Sequence, residues 1–197
     1  MKTQTQKPFL EYVFSLWAKS GKQSYITACG SSMRPLIRKE DRLLIDHGCN
    51  RFHSGDILAF KRGEIMIAHR IVLIRKRAGI RHYWTVGDNS CKMDPPVAAY
   101  QIIGKTIGIA RMGGYVPLQG PLWDFTGKSV ALLSLIQECN RRIRMRWRRI
   151  SLSVYIIGLS DNIVSEFKRW VLKKMTTDLT RREVEIQKSS PAQKLLG

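Results

Sequence analysis

From Ser24 to Ala110 the chain alternates short apolar runs with turn-forming residues. Ser24–Cys29, Arg42–Asp46, Asp56–Lys61, Ile65–Arg75, Ile80–Val86 and Tyr100–Arg111 are rich in Ile, Val, Leu, Tyr and Phe. Such side chains suit a pleated, half-buried surface. Gly48, Gly55, Gly63, Gly79, Gly87 and the Pro95-Pro96 pair punctuate the runs. The Arg62-Gly63-Glu64 and Lys76-Arg77-Ala78-Gly79 breaks read as hairpin turns. Many short strands with glycine turns predict a mainly β fold, a small sandwich or barrel spanning 24–115.

The flanks read differently. Residues 1–23 read as an N-terminal tail followed by a short amphipathic helix. In it, Phe9, Val13, Leu16 and Trp17 recur at helical spacing after Pro8, which suits a first helical turn. Beyond Gly113-Gly114, Pro117, Gly120 and Pro121 the period changes, marking a boundary. Residues 120–197 read as a basic, mainly helical extension with a frayed C-terminus. Val130–Ile143 and Val164–Met175 carry the helical spacing.

Four short blocks within the β region carry candidate chemistry. They are Gly30-Ser31-Ser32-Met33-Arg34-Pro35, Ser54-Gly55-Asp56-Ile57-Leu58, Ala68-His69-Arg70-Ile71-Val72 and Gly87-Asp88-Asn89 followed by Asp94. Together they supply a serine, a histidine and two aspartates. A serine hydroxyl is a weak nucleophile that needs a neighbouring base, and the base needs an orienting group. Ser32 is the candidate nucleophile and His69 the candidate base. Imidazole ordinarily titrates near pH ~6.5, so a histidine base is mostly neutral at neutral pH. Asp94 and Asp88 both compete for the orienting role. The Ser32 backbone N–H is the natural oxyanion donor. Gly30 and Ser31 lead into that turn, and Met33 and Pro35 would stiffen it. Asp56 reads as a turn cap, and Arg70 as an ion-pair residue on the face opposite His69, because strand neighbours alternate.

These blocks resemble the signal peptidase I family, in its serine–histidine branch. Gly30 to Leu36 is similar to that family's Ser-Met-x-Pro nucleophile block. Gly55-Asp56-Ile57-Leu58 is similar to its Gly-Asp-hydrophobic strand start. His69-Arg70 stands where many members have Lys-Arg. Gly87-Asp88-Asn89 through Asp94, then Ile103-Gly104-Lys105, resembles its closing block. The resemblance covers 24–112. It implies a mostly β fold and a serine endopeptidase that cleaves a precursor or leader peptide after small residues. It also favours Asp94 as the triad acid. Some members carry a second hydroxyl donor two residues before the nucleophile, where this chain has Gly30. The self-cleaving repressor peptidases share the fold but use a lysine base, which His69 argues against.

Charge and composition change the picture in one respect. The formal net charge is +19, a field that favours phosphate-bearing surfaces. Six arginines, Arg141, Arg142, Arg144, Arg146, Arg148 and Arg149, crowd one segment around Trp147. They form a candidate basic surface for an anionic membrane, ranked ahead of nucleic acid. The alternative to an enzyme is therefore a catalytically silent peptidase-fold module that binds peptide, anionic membrane or nucleic acid. Cys29, Cys49, Cys91 and Cys139 match no metal template. They read as reduced thiols, Cys29 and Cys91 as small packing residues near the site. No metal or organic cofactor is implied. No stretch approaches the ~18–20 apolar residues that span a bilayer, although the resembled family usually carries such an anchor. The expected location is cytoplasmic, with peripheral contact at the inner membrane face.

Overall fold

The computed structural model of the protein describes residues 16–17, 19–111, 114–146 and 160–178. Its β region is one antiparallel sheet: β1 (Gln23–Thr27), β2 (Arg42–Asp46), β3 (Ile57–Arg62), β4 (Ile65–Arg77), β5 (Ile80–Val86), β6 (Val97–Ala98), β7 (Ile102–Arg111) and β8 (Gly114–Pro117). The spatial order is β1-β2-β7-β3-β4-β5-β6, with β8 also paired to β7. Helix α1 (Pro121–Arg146) and helix α2 (160–178) follow. The fold is thus mainly β with a helical C-terminal part.

Both predicted hairpin turns form. Arg62 pairs with Ile65, so Gly63 and Glu64 make a two-residue turn with Gly63 at φ +61°. Arg77 pairs with Ile80, and the turn residues Ala78 and Gly79 both have positive φ, as a type I′ turn requires. Two strands had no signal in the sequence. β6 is only two residues long. β8 sits where the glycine–proline punctuation predicts a boundary, and pairs along Gly108–Arg111 of β7. The run expected to start at Tyr100 instead opens with a 3₁₀ turn, Ala99–Gln101.

Strand β3 is buried on both faces, and the two-residue period divides its side chains. Ile57 and Ala59 join a core with Met33, Leu36, Ile37, Leu43 and Ile45. Leu58 and Phe60 join a second with Ile71, Tyr83 and Val97. Register shifts in the β2–β7, β3–β7 and β4–β5 pairings bend the sheet. The resulting curl puts β1 and the first half of β4, which are not sheet neighbours, on one cleft.

Helix α1 starts nine residues earlier than the apolar spacing from Val130 suggests, with Pro121 in its first turn. It lies backbone to backbone on the sheet at one point. A Cβ on Gly55 would come within 2.6 Å of the Lys128 nitrogen. Ala131 packs with Val72 and Val86. Val130 packs with Val171, Leu172 and Met175 of α2. The helices are therefore docked on the β region. The helix expected over Pro8–Ser20 lies mostly outside the described residues. Its end is helical, and the Trp17 ring rests 5.1 Å from that of His47.

Among the described residues no helix is long and apolar enough to cross a membrane.

Candidate active site

Ser32 sits on the turn between β1 and β2. Met33, Leu36 and Ile37 anchor that turn in the core, each at most 4% exposed. The Arg34 N–H donates to the Ser31 carbonyl at 3.2 Å and the Ile37 N–H to the Met33 carbonyl at 3.0 Å. The Arg34–Pro35 peptide is cis. With Met33 held inside, Ser32 is exposed at the cleft.

His69 lies on β4, opposite Leu58 of β3. Its Nε2 is 2.8 Å from Ser32 Oγ, and its Nδ1 is 2.7 Å from Asp94 Oδ2. An ionised carboxylate only accepts, which assigns the ring proton to Nδ1 and leaves Nε2 to accept from the serine. The three residues come from separate elements, 37 and 25 positions apart. The sheet places His69, and the turn before β2 and the loop after β5 bring Ser32 and Asp94 to it.

Asp94 closes the loop after β5. Its N–H donates to the Thr85 carbonyl at 2.8 Å, and Thr85 Oγ1 donates to Asp94 Oδ2 at 2.7 Å. Arg62 Nη1 is 3.7 Å from Oδ1, and Arg62 Nη2 donates to the Pro95 carbonyl. Burial pushes the Asp94 carboxyl up. The hydrogen bonds from His69 and Thr85 outweigh it, helped by the charges of His69 and Arg62, and hold it below the ordinary value of 3.8. Asp94 thus stays charged beside His69.

Asp88, the competing candidate, is engaged elsewhere, which corrects its reading as a catalytic residue. It takes a two-pronged bond from Arg70, Nε to Oδ1 at 2.8 Å and Nη2 to Oδ2 at 2.6 Å, with both side chains fully buried. Arg70 Nη1 also donates to the Gly55 carbonyl. Strand alternation sends Arg70 away from the cleft that His69 faces. The loop Gly87–Asp94 reaches back to Ser32. The Asn89 N–H donates to the Ser32 carbonyl at 2.7 Å, and the Asp88 N–H to Met33 Sδ at 3.4 Å. A Cβ on Gly87 would meet the Ser32 carbonyl at 2.6 Å. Only a residue without a side chain fits there.

Gly30 is exposed, and open space surrounds the position of a Cβ on it. Ser31 is exposed too, and its carbonyl also accepts a long bond from Asn89 Nδ2 at 3.5 Å. Among the described residues the Ser32 backbone N–H has no hydrogen-bond partner, so it can receive a developing oxyanion. The apolar cleft beside the triad measures about 540 Å³ and is walled by β1 residues such as Ile26 and by Ile65–Ala68 of β4. Cys29 lines it and is exposed, as is Cys91. Neither is the buried packing residue that its place in the sequence suggests, because both lie on exposed loops. Asp56 does cap its turn, accepting from the His53 N–H at 2.8 Å and pairing with Lys105.

The arginine segment is less available than its sequence suggests. Arg141 and Arg142 both pair with the buried Glu138, and Arg144 pairs with Asp161 of α2. Arg146 is exposed. Arg148 and Arg149 lie outside the described residues. Thr85 lies outside the four blocks, Arg62 was read only as part of a hairpin turn, and Asn89 only as part of the Gly87-Asp88-Asn89 block, so none of the three was singled out as a site residue. The one available signal was the position of Thr85 two residues before Gly87.

Comparison with protein-family models gives no match, and neither does comparison with curated proteins.

Proposed function

We propose that the protein is a serine endopeptidase of signal peptidase I type, with Ser32 as nucleophile, His69 as base and Asp94 as orienting acid. The observation that carries this reading is the unbroken chain Ser32 Oγ–His69–Asp94 at 2.8 and 2.7 Å, opening on a peptide-sized apolar cleft. In the acylation step Ser32 Oγ attacks the scissile carbonyl carbon as His69 Nε2 takes its proton. The tetrahedral oxyanion faces the Ser32 N–H. His69 then protonates the leaving amine, and the acyl-enzyme forms. Water enters, gives its proton to His69, and hydrolyses the ester to restore Ser32. Asp94 keeps its charge throughout and steadies the imidazolium.

The substrate side of the proposal follows from the sheet. Residues 65–69 of β4 pair with β3 on one edge, while β5 begins pairing only at Arg70. The other edge of that segment borders the cleft, where an extended precursor peptide can add as a strand. Preference for small residues before the cut bond is carried over from the family resemblance.

The test is peptide cleavage followed by mass spectrometry, with a library rich in Ala, Gly and Ser. Cuts made by the wild type and lost in both Ser32→Ala and His69→Ala support the reading. A folded Ser32→Ala variant that cuts as well as wild type would overturn it.

A second reading concerns location. Along α1, Leu122, Phe125, Leu132, Ile136 and Ile143 recur at steps of three, four and seven residues, the spacing of one helix face, and are all exposed. On α2, Ile163, Phe167 and Trp170 do the same. Exposed apolar side chains on helices of a +19 chain favour peripheral docking on an anionic bilayer. Flotation with phosphatidylserine vesicles at low and high salt tests it. Equal failure to float with anionic and neutral vesicles removes this reading.

A further inference from the structure

Lys168, on α2, is 4% exposed. Among the described residues no carboxylate pairs with its ammonium. Its Nζ donates to Gln137 Oε1 of α1 at 3.3 Å and to the Ser90 carbonyl at 3.5 Å. Burying a cation with no carboxylate in direct contact is costly, and stability alone gives little reason to place a lysine there. Burial pushes Lys168 below its ordinary value of 10.5, Asp88 and Cys91 pull it back, and Arg70 adds to the lowering.

The partner explains the placement. Ser90 lies in the Gly87–Asp94 loop, and its N–H already closes a turn on the Gly87 carbonyl at 2.9 Å. One residue before it, the Asn89 N–H holds the Ser32 carbonyl. Four residues after it stands Asp94. A cation fixed on the Ser90 carbonyl therefore restrains both the nucleophile's backbone and the carboxylate that orients the base.

We propose that Lys168 is a positioning residue for the catalytic loop, reaching from the C-terminal helix to make the geometry of the Ser32/His69/Asp94 site depend on docking of that helix. The proposal rests on the peptidase reading for its activity consequence but not for its structural one. It lies outside residues 24–112, where the family resemblance ends.

The experiment uses the full chain with Lys168→Met and, as a second variant, Lys168→Gln. The first readout is the downfield proton resonance of His69 Nδ1–H bound to Asp94, identified by its absence in His69→Ala. The second is turnover on the peptide library, and the third is the thermal midpoint. The expected result is a shifted or broadened resonance and at least a tenfold loss of turnover in Lys168→Met, with a midpoint equal to or above wild type. A merely structural lysine would lower the midpoint and leave the resonance alone. That result, or failure of both variants to fold, or a folded variant with wild-type resonance and turnover, overturns the proposal. If the wild type cuts no peptide, the resonance still decides the role of Lys168, and the peptidase reading fails separately.

Discussion

Arg70 and Asp88 form a fully buried, two-pronged ion pair directly behind the strand that presents His69. The pair ties β4, which carries the base, to the loop that ends in Asp94. The proposed mechanism thus gives two aspartates six positions apart opposite tasks. Removing one partner of a buried pair strands the other and costs roughly 3–5 kcal/mol. Asp88→Ala should therefore destabilise the protein by about that amount in urea denaturation. Asp94→Ala should lower the urea midpoint by less than Asp88→Ala does, while lowering turnover by on the order of 10³–10⁴. The reverse pattern, with activity lost and stability kept in Asp88→Ala, would make Asp88 the triad acid.

The parts of this site that were legible in the sequence are those set by local chemistry. Ser32, His69 and Asp94 stood out because their residue types occur in an ordered set. The strands β2 and β5 were legible from branched and aromatic runs between turn formers. What was not legible depends on pairing at a distance. Nothing local in the sequence decides between Asp88 and Asp94, because only the fold shows that Arg70 occupies one of them. Strand β8 was hidden because its glycine and proline read as linker, and only the edge of β7 makes it a strand. Nothing in the sequence marks Lys168, since its burial comes from packing against α1 and the Ser90 loop.

Gly87 and Gly30 flank the nucleophile and should respond oppositely to a methyl group. On Gly87 a Cβ would press on the Ser32 carbonyl at 2.6 Å, on Ser32 Cβ at 3.0 Å and on His69 Nε2 at 3.1 Å. Backbone cannot yield as a flexible side chain does, so the serine and histidine must part. Misplacement of about 1 Å costs roughly 10²-fold. Gly87→Ala should lose at least that much turnover. On Gly30 nothing lies within 4 Å of the added carbon, so Gly30→Ala should keep the wild-type thermal midpoint. Equal losses of stability in the two variants would contradict this reading of the turn.

Thr85 is fully buried, and its hydroxyl donates a hydrogen bond to Asp94 Oδ2. Thr85→Val keeps the shape and removes the bond. The Asp94 carboxyl should then titrate higher than in wild type. Asp94 is held below 3.8 in the folded state, so its contribution to stability is present above that pH and fades as pH falls through the lowered value. Removing the bond should make acid unfolding begin at a higher pH and reduce turnover by about tenfold, the worth of one hydrogen bond to a charged group. Identical acid-unfolding curves for the two proteins would show that Thr85 does not hold the carboxylate.

His47 is a histidine with no place in the mechanism, and it sets a different pH limit. It is 3% exposed, its Nδ1–H donates to the Ile103 carbonyl at 3.0 Å, and Ser24 Oγ lies 2.7 Å from Nε2. Neutral imidazole satisfies both contacts, with Ser24 as the donor to Nε2. Burial lowers its pKa from the ordinary 6.5, against the Ile103 carbonyl and Asp46, which raise it. Between the lowered folded value and 6.5 the unfolded chain binds the proton and the folded chain does not, so stability rises with pH in that window. Stability is complete above 6.5 and falls as the solution is acidified below it, by at most about 1.4 kcal/mol per pH unit. Urea midpoints for wild type and His47→Gln, taken at about pH 7.5 and about pH 5.5, isolate the effect because every other titrating group is common to both. Wild type should lose more stability between the two conditions than His47→Gln does. Parallel losses would mean that His47 takes up its proton as readily folded as unfolded, and that the contacts holding β1 and β2 to Ile103 of β7 do not depend on its charge.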